Sequence, residues 1–173
     1  MTSMTASVDP ESRWKDLYGV WYNQLGSKMT LTAEWGGGPS GKYHSNVGGV
    51  LHDYFLAGIF DPSSKSWTND PVGFTLGWAV TYIYDKSPVH IHSTATWSGQ
   101  FFNDSNSDDD GKIITQWLLT RSTKKGDIWN STTVGNDAFT RTKPTAAEIA
   151  KARALGGSSP DDIILACVNQ GSE

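Results

Sequence analysis

Cysteine is nearly absent from this chain: Cys167 is the only one among 173 residues. A single thiol cannot form an intrachain disulfide, so a disulfide framework is excluded. Cys167 is interpreted as a small apolar core residue rather than a nucleophile, because free cysteine is commonly buried. The fold is therefore expected to depend on packing and hydrogen bonds alone.

Long apolar runs and strong charge are also missing. No stretch approaches the ~20 apolar residues that a membrane-spanning helix needs. Only 18% of residues are charged, with a formal net charge of −4, so nothing attracts nucleic acid or an anionic membrane. Residues 1–11 lack the basic start and apolar stretch of a signal peptide, so the chain as written is predicted to be intracellular; secretion is the alternative if a leader has been removed.

The chain is instead rich in aromatic residues and glycine, with 8 Trp, 6 Tyr, 6 Phe and 18 Gly. Short alternating segments separated by Gly and Pro clusters are typical of antiparallel strands joined by tight turns. Eight such segments predict an all-β fold, an antiparallel up-and-down β-barrel of the size that holds one small ligand. The predicted strands lie near residues 19–25, 28–35, 40–47, 54–61, 74–83, 90–101, 112–121 and 132–142.

The same pattern divides the chain into three parts. Residues 1–18 are polar and are predicted to be a flexible arm, residues 19–144 the barrel domain, and residues 145–173 a C-terminal helix and tail. The helix is predicted from Thr145-Ala146-Ala147-Glu148, which has the pattern of a capping box. Gly156-Gly157 is expected to end it.

A second short element begins at Ser159-Pro160-Asp161-Asp162. It carries an apolar segment, Ile163 to Val168, that needs a surface to cover. The barrel itself or a neighbouring subunit is favoured as that surface over a functional pocket.

Strand alternation predicts which side chains face the barrel interior, because successive residues on a strand point to opposite faces. Across the segments, the alternate residues that share this face combine large aromatic side chains with polar ones. The predicted inner face consists of Trp21, Asn23, Leu25, Ser27, Tyr43, Ser45, Val47, Leu76, Trp78, Ser93, Ala95, Trp97, Thr115, Trp117, Leu119, Asp137 and Phe139.

The polar members of this face point to a ligand. A barrel packed only for stability does not need them, and each buried polar group left unpaired costs about 1–3 kcal/mol. Either they satisfy one another or a polar ligand satisfies them, and the second interpretation is favoured. Asn23, Ser27 and Tyr43 can all donate toward one carbonyl oxygen, while Asp137 and Ser45 can accept from two N–H groups.

A carbonyl flanked by two N–H groups is a urea, and a ureido group among tryptophans is how the avidin and streptavidin family binds biotin. The chain resembles that family over about residues 19–144. The resemblance rests on the order and spacing of these motifs: Gly19-Val20-Trp21-Tyr22-Asn23-Gln24-Leu25-Gly26-Ser27, Leu76-Gly77-Trp78, His92 to Phe101, Thr115 to Leu119, and Trp129 to Phe139.

The resemblance implies how biotin is held. Asn23, Ser27 and Tyr43 would bind the ureido oxygen, and Ser45 and Asp137 its two N–H groups. The rest of the ligand would contact an aromatic box of Trp78, Trp97 and Trp117, the gap-filling Leu25, Val47 and Leu119, and, at its carboxylate, Ser93 and the backbone near Gly49.

The resemblance also implies an assembly and a role. In this family a tryptophan from an adjacent subunit completes the site, and Trp129 matches it. A homotetramer is therefore expected, with Gln116, Val134 and Asn136 as candidate interface residues. The implied function is tight, non-covalent, non-catalytic biotin binding that sequesters the vitamin, without cofactor or metal.

Two positions depart from the family pattern. Ala95 stands where the family usually has a threonine hydroxyl against the ligand's sulfur, and the hydroxyl of Thr94 points to the other face. The missing hydrogen bond is worth ~0.5–1.5 kcal/mol. The loop Val47-Gly48-Gly49-Val50 has glycine where streptavidin has asparagine, and a Gly-Gly loop costs more entropy to order. Somewhat weaker binding than the family's tightest is expected.

Other functions are less well supported. A glycosidase needs two carboxylates about 5–10 Å apart, and Asp137 is the only one predicted on the inner face. His90-x-His92 lacks a third zinc ligand, and Asn106-x-Asp108-x-Asp110-Gly111 lacks the acid that completes a calcium loop. A lipocalin-like carrier or a lectin for another small polar ligand is the alternative, although lipocalin cavities are mostly apolar and lectins usually bind at an exposed surface.

Overall fold

Eight antiparallel strands close into one barrel in which each strand pairs with the next and the last pairs with the first. The structure is a computed structural model that describes residues 14–34, 38–46, 53–61, 73–86, 89–102 and 111–170. The predicted up-and-down β-barrel is confirmed. The strands are β1 (Gly19–Asn23), β2 (Lys28–Glu34), β3 (Gly38–His44), β4 (Asp53–Phe60), β5 (Phe74–Lys86), β6 (Val89–Phe102), β7 (Lys112–Arg121) and β8 (Thr132–Thr140).

The predicted alternation of inner and outer faces is confirmed by the burial of side chains. Along β7, Ile113, Thr115, Trp117 and Leu119 are buried and the residues between them are exposed. Thr94 lies on the outer face, where its hydroxyl is 3.5 Å from that of Thr81. The residues predicted for the inner face are all buried within the described part of the chain; Val47 lies outside it.

The barrel begins earlier than the sequence predicted. Residues Trp14–Leu17 form a 3-10 turn, and Leu17 is fully buried in the core. The Trp21 indole N–H donates to the Leu17 carbonyl at 3.0 Å, while the Arg141 guanidinium lies 3.6 Å from the Trp21 ring centroid. The packed domain therefore begins before Gly19, because Leu17 lies in the barrel core.

Two helices follow the barrel, α1 (Ala146–Ala154) and α2 (Pro160–Gln170). The predicted capping box is confirmed: the Thr145 backbone N–H donates to the Glu148 carboxylate at 2.7 Å, and the Glu148 N–H donates to the Thr145 hydroxyl at 3.3 Å. Gly156, with φ +84°, ends the helix in the left-handed conformation that glycine adopts without strain. A further 3-10 turn spans Lys125–Asn130. No helix in the described part of the chain is long and apolar enough to cross a membrane.

The C-terminal helices lie across one end of the barrel, over the turn that joins β1 to β2. The Ile149 side chain of α1 packs close to Gly26, and Gly157 lies against Leu25. From there α2 enters the barrel end, where Ile164 joins the buried core cluster and Ile163 packs against it. The sequence favoured the chain's own barrel or a neighbouring subunit over a functional pocket as the surface for this segment. The structure places it on its own barrel, with Ile164 in the core cluster and Asp161 bonded to Ser27 and Tyr43 in the cavity.

Close packing of Trp117 on the backbone of β8 gives a test of this core. A Cβ at Gly135 would overlap the Trp117 indole, whereas a Cβ at Gly126 would meet nothing within 4 Å. Gly135→Ala should therefore lower the free energy of unfolding by ~1–3 kcal/mol through overpacking, and Gly126→Ala should change it by less than about 0.5 kcal/mol. Urea denaturation of both variants measures the difference. Equal stability of the two would contradict the described packing.

Candidate ligand-binding cavity

Asp137 is the hydrogen-bonding centre at the inner end of the cavity. It lies on β8 and is 1% exposed. The Trp97 indole N–H donates to one carboxylate oxygen at 2.8 Å, while the Gln24 and Asn23 amides donate to the other at 3.0 and 3.3 Å. The carboxylate is thereby fixed in orientation by side chains from three directions.

Asn23 is itself fixed by the β1–β2 turn. Its side-chain oxygen accepts the backbone N–H groups of Leu25 and Ser27 at 3.1 and 2.8 Å. Because that oxygen is committed to the turn, only the amide hydrogens point to other partners. The tight turn with Gly26 at φ +87° makes this arrangement possible.

The hydroxyls of Ser27 and Tyr43 converge on a single oxygen atom. That atom is Oδ2 of Asp161, from α2, which accepts the Ser27 hydroxyl at 2.9 Å and the Tyr43 hydroxyl at 3.1 Å. Ser27 also accepts the Asn46 backbone N–H at 3.1 Å, so its single proton is committed to Asp161. The other carboxylate oxygen of Asp161 is buried without a hydrogen-bond partner among the described residues.

Burial dominates the electrostatics of both carboxylates. It raises the pKa of Asp137 to about 7, although hydrogen bonds from Trp97 and Gln24 oppose the rise. It raises the pKa of Asp161 to about 6, opposed by hydrogen bonds from Ser27 and Tyr43. The charge of Asp161 adds a smaller rise to the pKa of Asp137, and the charge of Asp162 adds one to the pKa of Asp161. The cavity therefore holds two carboxylates where the sequence predicted one.

The aromatic wall differs in one position from the sequence prediction. Trp97 and Trp117 are buried on adjacent strands as predicted. Trp78 stacks on Trp97 with ring centroids 5.7 Å apart and meets Phe139 edge-on at 5.5 Å. It therefore packs among the aromatic core residues, four positions along β5 from Tyr82.

Tyr82 is the wall residue that the sequence analysis missed. It lies opposite Ser93 in the register of β5 and β6, and its ring centroid is 6.3 Å from that of Tyr43. Tyr82 lies four residues after Trp78 on β5, so strand alternation directs both side chains to the same face. This alternation is the sequence signal that could have identified Tyr82. Only the register of β5 against β6 shows that Tyr82, rather than Trp78, lies beside Ser93.

Several buried polar atoms around the cavity have no hydrogen-bond partner among the described residues. They are Ser93 Oγ, Tyr82 Oη, Trp117 Nε1, Trp78 Nε1 and Asp161 Oδ1. Ser93 Oγ and Tyr82 Oη are suited to a polar ligand, because an unpaired buried donor or acceptor costs ~1–3 kcal/mol. The predicted polar side chains therefore satisfy one another only in part.

The remaining predicted positions are placed as follows. Ala95 is fully buried on the inner face, and Ser45 is 7% exposed near the cavity mouth. Trp129 is 80% exposed. The contacts expected of Val47 and of the backbone near Gly49 lie outside the described residues.

Within the part of the chain that the structure describes, no group of three or more His, Cys, Asp and Glu side chains could hold a metal ion. His92 is exposed, and Asn106-x-Asp108-x-Asp110 falls outside the described residues.

The raised pKa of Asp161 predicts a pH dependence of stability. An unfolded Asp loses its proton near pH ~3.9, whereas Asp161 in the folded chain keeps its proton up to about pH 6. The folded state binds more protons in between, so the contribution of this group to the free energy of unfolding falls as pH rises through that window. Urea denaturation at about pH 4 and about pH 7.5 should show that wild type loses roughly 1–3 kcal/mol more than Asp161→Asn.

The matched control for this experiment is Asp127→Asn, which changes an exposed carboxylate in the 3-10 turn before β8. It should follow the wild-type pH profile. If Asp161→Asn also follows that profile, Asp161 is not buried in the folded protein.

Comparison with known proteins agrees with this geometry. A sequence model of the avidin family matches residues 11–142. Avidin of Gallus gallus is 33% identical over 130 residues, which cover 72% of this chain and 77% of that protein. Afifavidin of Afifella pfennigii is 31% identical over 135 residues, 76% of this chain and 72% of that protein. A closed eight-stranded barrel with these matches identifies the chain as a member of the avidin family.

Proposed function

We propose that the chain is a non-catalytic protein that binds biotin in the open end of its barrel. The observation that carries this proposal is the convergence of the Ser27 and Tyr43 hydroxyls on one carboxylate oxygen. That oxygen stands in for the ureido oxygen of biotin, an acceptor with the same demand for two donors. Membership of the avidin family supports the same ligand.

Asp137 is suited to the nitrogen side of the ureido group. Its carboxylate is already oriented by Trp97, Asn23 and Gln24, so binding requires little rearrangement of this residue. With Ser45 it would accept the two N–H groups. A fixed acceptor loses less entropy on binding than a mobile one.

The body of the ligand would lie against the aromatic wall. We assign Trp97 and Trp117 to this wall and add Tyr82, because it lies beside Ser93 and its hydroxyl has no partner among the described residues. Trp78 would support Trp97 from behind. Ser93, also without a hydrogen-bond partner there, would donate to the ligand carboxylate.

Self-association into a homotetramer belongs to the same proposal. Trp129 and Val134 are 80% and 70% exposed, and Ile114 and Leu118 are partly exposed on the adjoining strand. Large apolar side chains grouped on an outer surface mark interaction sites. A second copy of the chain would cover them, and Trp129 would close the neighbour's aromatic wall.

Sequestration of biotin is the biological role that we propose for such a protein. A lipocalin-like carrier or a lectin is the competing class. The polar inner end around Asp137 favours a ligand with a compact hydrogen-bonding head. The change in melting temperature with biotin, a fatty acid and a panel of sugars separates these classes, since only a bound ligand stabilises the fold.

Asp137→Ala should weaken biotin binding by ~1.5–3 kcal/mol, because it removes a charge-assisted hydrogen bond to the ureido group. Calorimetric titration with biotin measures this change. Asp127→Ala removes an exposed carboxylate instead and should leave the affinity unchanged. An Asp137→Ala variant that is folded and binds biotin as wild type does would refute the assigned site.

Trp129→Lys should impair assembly and binding together. Loss of an indole at an interface hot spot costs ~2–4 kcal/mol, and the new ammonium would face an apolar contact. Sizing chromatography should show dimers, and biotin should dissociate faster from the same sample. Because Trp129 is exposed on the single chain, the barrel itself should remain folded. A tetramer with unchanged release would exclude a shared tryptophan.

A further inference from the structure

We propose that Arg121 is a specificity-determining residue at the open end of the barrel. Its guanidinium binds the carboxylate of the ligand and selects free biotin over ligands in which that carboxylate has become an amide. This inference rests on the proposed function and deepens it: the chain is a receptor for the free acid rather than for biotin joined to a protein through an amide bond.

The strand register brings three hydrogen-bond donors to one level of the barrel wall. Tyr82 on β5 lies opposite Ser93 on β6, and Ser93 lies opposite Arg121 on β7. Residues directly opposite each other on antiparallel strands have Cβ atoms about 4.5–5.5 Å apart. The phenol, the hydroxyl and the guanidinium therefore start from adjacent positions on three neighbouring strands.

Strand alternation directs Arg121 to the face that lines the cavity. On β7, Trp117 and Leu119 are buried, Leu118 and Thr120 are exposed, and Arg121 is half-buried. It is the last residue of β7, at the end of the barrel where β1 also ends, because alternate strands of an up-and-down barrel run in the same direction. The side chain thus has its stem against the barrel and its charged head at the opening.

The two hydroxyls beside Arg121 do not by themselves select an anion. Ser93 is 5% exposed and Tyr82 is 2% exposed, and neither hydroxyl has a hydrogen-bond partner among the described residues. Each can donate equally to a carboxylate or to an amide carbonyl. The positive charge of a guanidinium does distinguish the two, because a charge-assisted hydrogen bond to a carboxylate is roughly twice as strong as one between neutral groups.

The turn that follows β7 holds Arg121 in place. One terminal amino group, Nη2, donates to the Asn130 carbonyl at 2.7 Å, and the backbone N–H of Arg121 donates to the Ser131 carbonyl at 2.8 Å. A guanidinium has five N–H donors in a planar fork, so this bond to a carbonyl is compatible with binding a carboxylate along another edge. A side chain that is already oriented loses less freedom on binding.

The competing role for Arg121 is structural, as an anchor for the 3-10 turn that carries Trp129. A merely structural residue affects every ligand that uses the cavity in the same proportion. Biotin and biotin amide share the ureido group, the rings and the chain, and differ only in the terminal group. The ratio of their affinities therefore reports recognition of the carboxylate and not the integrity of the turn.

Calorimetric titration of the full-length chain with biotin and with biotin amide measures that ratio. Wild type should bind biotin at least about tenfold more tightly than the amide. Arg121→Gln should weaken biotin binding roughly ten- to hundredfold, as loss of a hydrogen bond to a charged group does, and should leave the amide affinity unchanged. Arg121→Lys keeps the charge without the fork and should retain part of the preference.

The matched control is Lys125→Gln, which removes an exposed positive charge from the turn between β7 and β8. It should keep the wild-type ratio, because its side chain is not on the inner face. Urea denaturation of each variant checks that it is folded. Wild type supplies a test that needs no variant, since equal affinity for the acid and the amide would overturn the inference.

The outcomes separate this inference from the function on which it rests. No binding of either ligand to wild type would overturn both. Binding of both ligands, with the same affinity ratio in wild type and in folded Arg121→Gln, would overturn only the role of Arg121 in recognising the carboxylate. Equal weakening of the two ligands is the form of that result expected of a structural anchor.

Discussion

The hydrogen bonds that meet at Asp137 reinforce the closure of the barrel between β1 and β8. The backbone pairing of β1 with β8 is short, with only Tyr22 opposite Thr140 and Asn23 opposite Phe139. Side chains extend this seam: the Asn23 and Gln24 amides donate to Asp137, and the Gln24 side-chain oxygen accepts the backbone N–H of Ala138 at 3.0 Å. The cost is a buried carboxylate, whose pKa burial raises to about 7. The arrangement places an oriented carboxyl group at the inner end of the cavity.

The same constraint explains why the cavity recruits a polar occupant. Once strand alternation directs Ser27, Tyr43 and Ser45 inward, their hydroxyls need partners away from water. Asp137 is already engaged with Trp97, Asn23 and Gln24. The donors are instead met by an acceptor from outside the barrel, which is Asp161 here and the ureido oxygen in the proposed complex.

The barrel and most of its inner face follow from local sequence rules. The alternation of side chains along a strand predicts which residues are buried, and the capping box predicts where α1 begins. Both are properties of residues close together in the sequence. The burial of Leu17, the position of Tyr82 beside Ser93 and the entry of Asp161 into the cavity are different. They depend on strand register and on the direction in which Gly156-Gly157 turns the chain. No local pattern encodes these. The sequence therefore favoured the barrel or a neighbouring subunit as the surface for the tail and did not place Asp161 in the cavity.

The most direct test of the central claim is a crystal structure of the full-length chain with biotin bound. The account predicts the ureido oxygen within hydrogen-bond distance of Ser27 Oγ and Tyr43 Oη, a ureido nitrogen at the Asp137 carboxylate, and Asp161 removed from the cavity. Biotin bound at another place, or Asp161 still held by Ser27 and Tyr43 in the complex, would contradict it.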